Sequence, residues 1–107
     1  MLFRSYHADT QQYAGVLYLT PDAPVDGGTG LYRSRITKKM KYKPEEYHTV
    51  FRKGHLDETD FEMVDKIGNM YDRLILFDAQ CLHAGINYFG NNINDGRLFQ
   101  LFFFDLK

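Results

Sequence analysis

Hydrophobic and polar residues alternate in short runs along this chain, a pattern that predicts strands more than helices. Aromatic and branched aliphatic side chains are concentrated in these runs, as is typical of strands. The predicted strands are residues 2–9, 13–20, 31–36, 73–77 and 97–104. Turn residues separate them, above all the prolines and glycines of residues 21–30 and the Asp-Gly pair within residues 91–96.

One stretch follows a helical period instead. Thr59 followed by Glu62 has the spacing of a capping box, and apolar residues then recur at steps of three and four. These apolar residues are Phe61, Val64, Ile67 and Tyr71. The pattern predicts a short helix over residues 60–70, so the whole chain reads as a β sandwich or barrel with one helical insertion.

The amino-acid composition excludes several classes of protein. The chain has 107 residues, which is one domain, and its 44% hydrophobic and 25% charged residues exclude a disordered, collagen-like or coiled-coil chain. No apolar run is long enough to cross a bilayer, and the first residues lack a signal pattern. Cys81 is the single cysteine, so we expect a reducing compartment, most simply the cytoplasm.

The charges nearly balance but are unevenly distributed. The net charge of −1 gives no general attraction to nucleic acid or to anionic lipid, so neither partner is expected. Bases concentrate in residues 33–53 and acids in residues 55–72. The basic stretch would either steer an acidic ligand or form a solvated loop paired with the acidic segment.

His7 and Asp9 are the first candidates for chemistry. Residues two apart on a strand project from the same face, so an imidazole and a carboxylate converge there. Together they supply two of the three ligands of a 2-His-1-carboxylate site. A third would come from His48 or His55, which the charged surroundings suggest are surface residues, or from His83. His83 follows the apolar strand 73–77 and would be either a ligand at a barrel mouth or a hydrogen-bonded core histidine.

Arg97 opens the most apolar strand, where period-two alternation places it on one face with Phe99, Leu101 and Phe103. An unpaired guanidinium among aromatic rings is costly, so Arg97 needs a carboxylate partner. Because arginine binds carboxylates through two parallel hydrogen bonds, a dicarboxylate ligand would suit it, as would an acid of the chain itself.

The order of these motifs resembles the iron(II)- and 2-oxoglutarate-dependent oxygenases, most closely their prolyl-hydroxylase-like branch. The residues that carry the resemblance are His7-Ala8-Asp9, the strand ending Leu17-Tyr18-Leu19-Thr20, Gly27-Gly28-Thr29, the strand 73–77, His83 and Arg97. The resemblance spans residues 7–104. It implies one double-stranded β-helix (jelly roll) domain over residues 1–107, with one short helix between strands.

The resemblance also implies site roles. His7, Asp9 and His83 would be the ligands of Fe(II), and Arg97 and Tyr18 would bind the distal carboxylate of the cosubstrate 2-oxoglutarate. For Tyr18 the other interpretation is a packed strand residue. Because Asp9 is present, the resemblance points to a hydroxylating dioxygenase and not to a halogenase; the substrate would be a small molecule or a peptidyl group.

Two other functions fit the same fold, because fold alone does not determine function. One is a cupin-like metal-dependent isomerase, and the other is a non-catalytic jelly-roll interaction domain. The metal motif begins already at residue 7, so the domain is either a minimal core or a fragment of a longer protein. Missing strands would leave an apolar face open, and we expect a homo-oligomer, most simply a dimer. Phe102 and Phe104 would either form that contact or be covered by a helix packed on the same face.

Overall fold

The structure, a computed structural model, describes residues 5–86 and 98–106 and is mainly β. Its strands are β1 (Tyr13–Tyr18), β2 (Thr29–Ser34), β3 (Phe61–Ile67), β4 (Leu74–Asp78), β5 (His83–Gly85) and β6 (Phe99–Phe104). The predicted strands 13–20, 31–36, 73–77 and 97–104 thus correspond to β1, β2, β4 and β6. The predicted turn 91–96 lies outside the described residues.

The strands form two antiparallel sheets of three strands each. The first has the order β4-β1-β6 and the second the order β3-β2-β5. In both sheets the middle strand pairs with neighbours that are distant in sequence; Val16 of β1, for example, lies between Ile75 of β4 and Leu101 of β6. The predicted strand 2–9 is reduced, in its described part, to a single bridge between His7 and His83.

The predicted helix over residues 60–70 is wrong, because this stretch forms β3. It pairs with β2 from Thr29–Ile67 to Ser34–Phe61, with a register shift at Leu31 and Tyr32. The presumed capping box is not formed. The Thr59 amide instead donates to the Asp57 carboxylate, and Glu62 accepts hydrogen bonds from Arg33 and Arg35.

The one short α-helix of the described residues lies earlier, between β2 and β3. This helix, α1, spans Tyr47–Val50 and follows a 3-10 turn, Pro44–Glu46; a second 3-10 turn, Glu58–Asp60, leads into β3. We call residues 35–60 the insertion. Its apolar residues pack on the second sheet, and the buried cluster consists of Tyr6, Tyr32, Val50, Phe51, Phe61, Leu82, Ala84 and Ile86.

The helices are short throughout the described part of the chain. None of those within residues 5–86 and 98–106 has the length and apolar character that crossing a membrane requires.

Candidate metal centre

His7 and His83 meet across an antiparallel bridge although they come from opposite ends of the chain. The His7 amide donates to the His83 carbonyl at 3.1 Å, and the His83 amide donates to the His7 carbonyl at 2.9 Å. The two residues therefore project to the same side, and their ring centroids are 4.3 Å apart. β5 holds His83 in place through its pairing with β2, in which His83 lies opposite Leu31.

Asp9 completes the group from the same side. Its amide donates to the Ala79 carbonyl at 2.8 Å, which fixes the segment two residues beyond His7. One carboxylate oxygen, Oδ2, lies 3.2 Å from Nε2 of His83, and Oδ1 lies 4.0 Å from Nε2 of His7. One potential ligand atom from each residue lies within 4.8 Å of the others. The structure thus brings together the three side chains that the sequence singled out.

Hydrogen bonds to the backbone determine which ring nitrogens carry protons. Nδ1 of His7 lies 2.9 Å from the Ser5 carbonyl, and Nδ1 of His83 lies 2.7 Å from the Cys81 carbonyl. A carbonyl only accepts, so both Nδ1 atoms must be the protonated donors. In the neutral rings both Nε2 atoms then present lone pairs, and a carbonyl on the far nitrogen is the usual way in which metal-binding histidines are oriented.

Burial keeps His83 neutral. The side chain is almost completely buried, and burial is the main cause that lowers the pKa of its imidazole, with the neighbouring His7 adding to the effect. Asp9 and the hydrogen bond to the Cys81 carbonyl act in the opposite direction without reversing it. The neutral imidazole is the form that binds metals.

The surroundings of Asp9 Oδ2 are the strongest indication that this group binds a cation. This oxygen is buried, and Nε2 of His83 lies 3.2 Å away, a contact that is a hydrogen bond only if Nε2 carries a proton; no other donor in the described part of the chain reaches this oxygen. With His83 neutral and its proton on Nδ1, a carboxylate oxygen faces an imidazole lone pair. Such an arrangement is costly unless a proton or a metal ion lies between the two atoms. Two imidazoles and one carboxylate are also a donor set that suits Fe(II), so the residues fit the expected metal.

Tyr18 is fully buried in β1. Its hydroxyl forms a 2.6 Å hydrogen bond with Oγ1 of Thr29, the first residue of β2. Thr29 follows Gly28, where a Cβ atom would lie 1.9 Å from the Ile67 carbonyl oxygen, so only glycine permits this approach. The sequence alone did not indicate a role for Thr29.

A cavity of about 140 Å³ extends from the two histidines between the sheets. Thr29 contributes a hydroxyl, and most of the remaining wall is apolar. This wall is formed by Ala14, Val16, Phe77, Ala84, Gly85, Phe99, Leu101 and Phe103. Period-two alternation predicted that Arg97 shares a face with the last three of these. Arg97 itself lies outside the described residues, so its role stays a prediction.

The remaining histidines differ from each other. His48 is exposed on α1, as expected. His55 was also expected on the surface, but it is half-buried and forms two hydrogen bonds with the backbone of Tyr6, the residue before His7. We call this pair of hydrogen bonds the clamp on Tyr6. The His55 carbonyl accepts from the Tyr6 amide at 2.8 Å, and Nδ1 of His55 donates to the Tyr6 carbonyl at 3.0 Å. Nε2 of His55 bonds to the Tyr47 hydroxyl at 2.8 Å, and its ring stacks on Phe51.

Most bases of residues 33–53 are paired with acids, so the interpretation as a charge-balanced loop is the better one. The pairs are Arg33 and Arg35 with Glu62, Lys39 with Glu46, Lys41 with Asp78, and Arg52 with Asp60. Cys81 is half-buried, and burial raises the pKa of its thiol, which disfavours the reactive thiolate.

Comparison with known families matches residues 4–104 to a family of unknown function, DUF6445, and the chain belongs to it. No curated protein and no solved structure matches the chain.

Proposed function

We propose that this member of the DUF6445 family is an Fe(II)- and 2-oxoglutarate-dependent dioxygenase of the hydroxylase type. The observation that carries the proposal is the convergence of His7, Asp9 and His83, with both Nδ1 atoms bonded to backbone carbonyls and a buried carboxylate oxygen that only His83 approaches. Two imidazoles and one carboxylate on one side of a metal ion leave positions for further ligands.

The distribution of strands supports a double-stranded β-helix as the finer description of the fold. The chain passes from the first sheet to the second between β1 and β2, returns between β3 and β4, and changes sheet at each of the next two connections. Repeated crossing between two antiparallel sheets is typical of jelly rolls. The cavity beside the histidines has walls from both sheets, which is the usual place for a ligand in this architecture.

Fe(II) and 2-oxoglutarate, when bound, would supply with O2 the oxidative decarboxylation of the cosubstrate to succinate and CO2, coupled to hydroxylation of a substrate C–H bond, each product receiving one oxygen atom of O2. The chain's part is to place the groups. His7, Asp9 and His83 would hold the metal, and the carbonyls of Ser5 and Cys81 would keep both rings in the required tautomer.

The cosubstrate would be held at its far end by Arg97 and Tyr18. The Tyr18 hydroxyl already bonds to Thr29, whose side chain lines the cavity, so a polar group lies beside an otherwise apolar wall. Arg97 would add the charge and a two-pronged geometry that matches a carboxylate. Two anchors of this kind would fix one orientation of the cosubstrate relative to the metal.

The test is calorimetry under nitrogen with the purified chain, titrated first with Fe(II) and then with 2-oxoglutarate. We expect one Fe(II) per chain and binding of 2-oxoglutarate that depends on the metal. His48→Ala, which alters an exposed histidine, should bind both ligands as the unaltered protein does. A protein that binds no metal would instead be a non-catalytic domain, whereas one that binds metal but not 2-oxoglutarate would fit the cupin-like alternative.

A further inference from the structure

The surface of the first sheet that points away from the cavity is largely apolar. We call it the outer face, and by strand alternation it has three rows of three positions. The rows are Asp78–Tyr13–Phe104, Leu76–Gly15–Phe102 and Leu74–Leu17–Gln100. Only two of these nine positions, Asp78 and Gln100, carry strongly polar side chains.

Several large side chains on this face are open to solvent. Leu74 is 53% exposed, Leu76 62%, Phe102 41% and Phe104 37%, and Leu106 just beyond β6 is 64% exposed. If a fully exposed large apolar side chain offers about 200 Å², these five offer about 500 Å². A patch of this size is at the upper end for a monomer and marks an interaction site. Two such patches together offer about 1,000 Å², which is the area at which a specific interface becomes plausible.

The charge pattern indicates which partner fits. The two polar positions lie at diagonally opposite corners, and the Asp78 carboxylate is already paired with Lys41. The face therefore offers no net charge to attract nucleic acid or an acidic peptide, and it brings no uncompensated charge against a copy of itself. A hollow of about 400 Å³ at the Asp78 corner, lined partly by Tyr13, Phe104 and Leu106, has room for a protruding side chain.

We propose that a second copy of this chain covers the outer face and forms a twofold symmetric dimer. A twofold axis along the diagonal from Phe104 through Gly15 to Leu74 places Asp78 opposite the partner's Gln100, whose amide donates to carboxylates. The same axis places Phe104 near Phe104 of the second copy. The strands of the two packed sheets then cross at a large angle, which is one of the two common ways in which sheets pack. The contact is isologous, so association stops at two copies.

The first test is the mass in solution, measured by light scattering coupled to size exclusion at micromolar concentrations. The unaltered protein should elute at twice its 12.6 kDa chain mass. Leu76→Lys, which places a charge in the middle row, should give a monomer with an unchanged far-ultraviolet circular dichroism spectrum. Leu56→Lys is the matched control, because Leu56 is similarly exposed, at 58%, but lies in the insertion. A monomeric unaltered protein would overturn the proposal, as would association beyond two copies.

A second test does not depend on how Leu76→Lys folds. In a Cys81→Ser background, Phe104→Cys should be joined to its own copy by a short bismaleimide, whereas Met63→Cys on β3 should not. Equal cross-linking of both variants, or of neither, would place the interface elsewhere and overturn the proposal. A third test is flotation with neutral phospholipid vesicles. A protein that is monomeric and floats with the vesicles would show that the outer face binds a lipid surface and would overturn the dimer.

Discussion

His7 and His83 exchange both backbone hydrogen bonds of an antiparallel bridge, and their imidazoles meet edge to face with their centroids 4.3 Å apart. One residue precedes the first strand of the chain and the other begins β5. The candidate metal centre is therefore assembled only when two segments that are far apart in the sequence have come together. Metal binding should accordingly favour the folded state over the unfolded state.

The contact between Asp9 and His83 gives a test in the absence of metal. If an unprotonated Nε2 faces the carboxylate, Asp9→Asn supplies an amide donor to Nε2 and should stabilise the metal-free protein by about 1 kcal/mol. This corresponds to a rise of about 4–8 °C in Tm for a domain of this size. The measurement is thermal unfolding in a chelator at neutral pH. A lower Tm would mean that His83 and Asp9 form an imidazolium–carboxylate pair in the native protein. His83 would then be a hydrogen-bonded core histidine and not a metal ligand.

His55 should act as a positioning residue for His7 through its clamp on Tyr6. We expect His55→Ala to weaken Fe(II) binding about tenfold, a loss typical of residues that orient ligands. His55→Asn should restore most of the affinity, because its amide nitrogen can donate to the Tyr6 carbonyl in place of Nδ1. Calorimetry under nitrogen measures both variants, with the exposed His48→Ala as the control. Equal affinity in all of these proteins would leave His55 with a role in stability alone.

Arg97 and Tyr18, the two proposed anchors of 2-oxoglutarate, should contribute unequally to its binding affinity. Tyr18→Phe removes one hydroxyl and should weaken cosubstrate binding by about 1 kcal/mol, or roughly fivefold. Arg97→Ala should abolish this binding and leave Fe(II) binding intact, and Arg97→Lys should be intermediate because it keeps the charge but loses the two-pronged geometry. Titration with 2-oxoglutarate in the presence of Fe(II) measures all three. Unchanged affinity in a folded Arg97→Ala protein would make the arginine structural.

Asp60 should stabilise the insertion in a manner that depends on pH. Its carboxylate is buried and accepts two hydrogen bonds from Arg52, each at 3.0 Å, and these bonds lower its pKa below the usual 3.8. The stabilisation is therefore complete above pH 3.8 and is lost as the pH falls through the lower folded-state pKa.

Urea unfolding at several pH values tests this dependence. Asp60→Asn should be less stable than the unaltered protein at pH 7, and the difference should shrink in acid. Asp65→Asn, at an exposed position of β3, should differ little at any pH. A deficit of Asp60→Asn that stays constant down to pH 2 would show that charge is not its cause.

The sequence predicted those parts of the fold that local composition determines. β1, β4 and β6 are dense in aromatic and aliphatic side chains, and their approximate positions followed from this. β3 was mistaken for a helix because Phe61, Val64 and Ile67 fit a helical period, whereas its structure comes from pairing with β2, a contact distant in sequence. Local patterns do not encode such pairing.

The candidate site shows a similar division. His7 and Asp9 were candidates because of their spacing and His83 because of its position after an apolar strand, but only the resemblance to a known family joined the three into one site. His55 could not be recognised, because its contacts with Tyr6 and Tyr47 depend on how the insertion folds back onto the segment before His7. Thr29 likewise gains its importance only where β2 passes Tyr18.

The proposed function requires that His7, Asp9 and His83 hold an iron ion to which 2-oxoglutarate binds. Its most direct test is an anaerobic titration of the Fe(II)-loaded protein with 2-oxoglutarate, followed by visible absorption. We expect a metal-to-ligand charge-transfer band that saturates at one cosubstrate per chain and is absent in His83→Ala. Failure of the band to appear in a folded, Fe(II)-loaded protein would contradict the account, as would an equal band in His83→Ala.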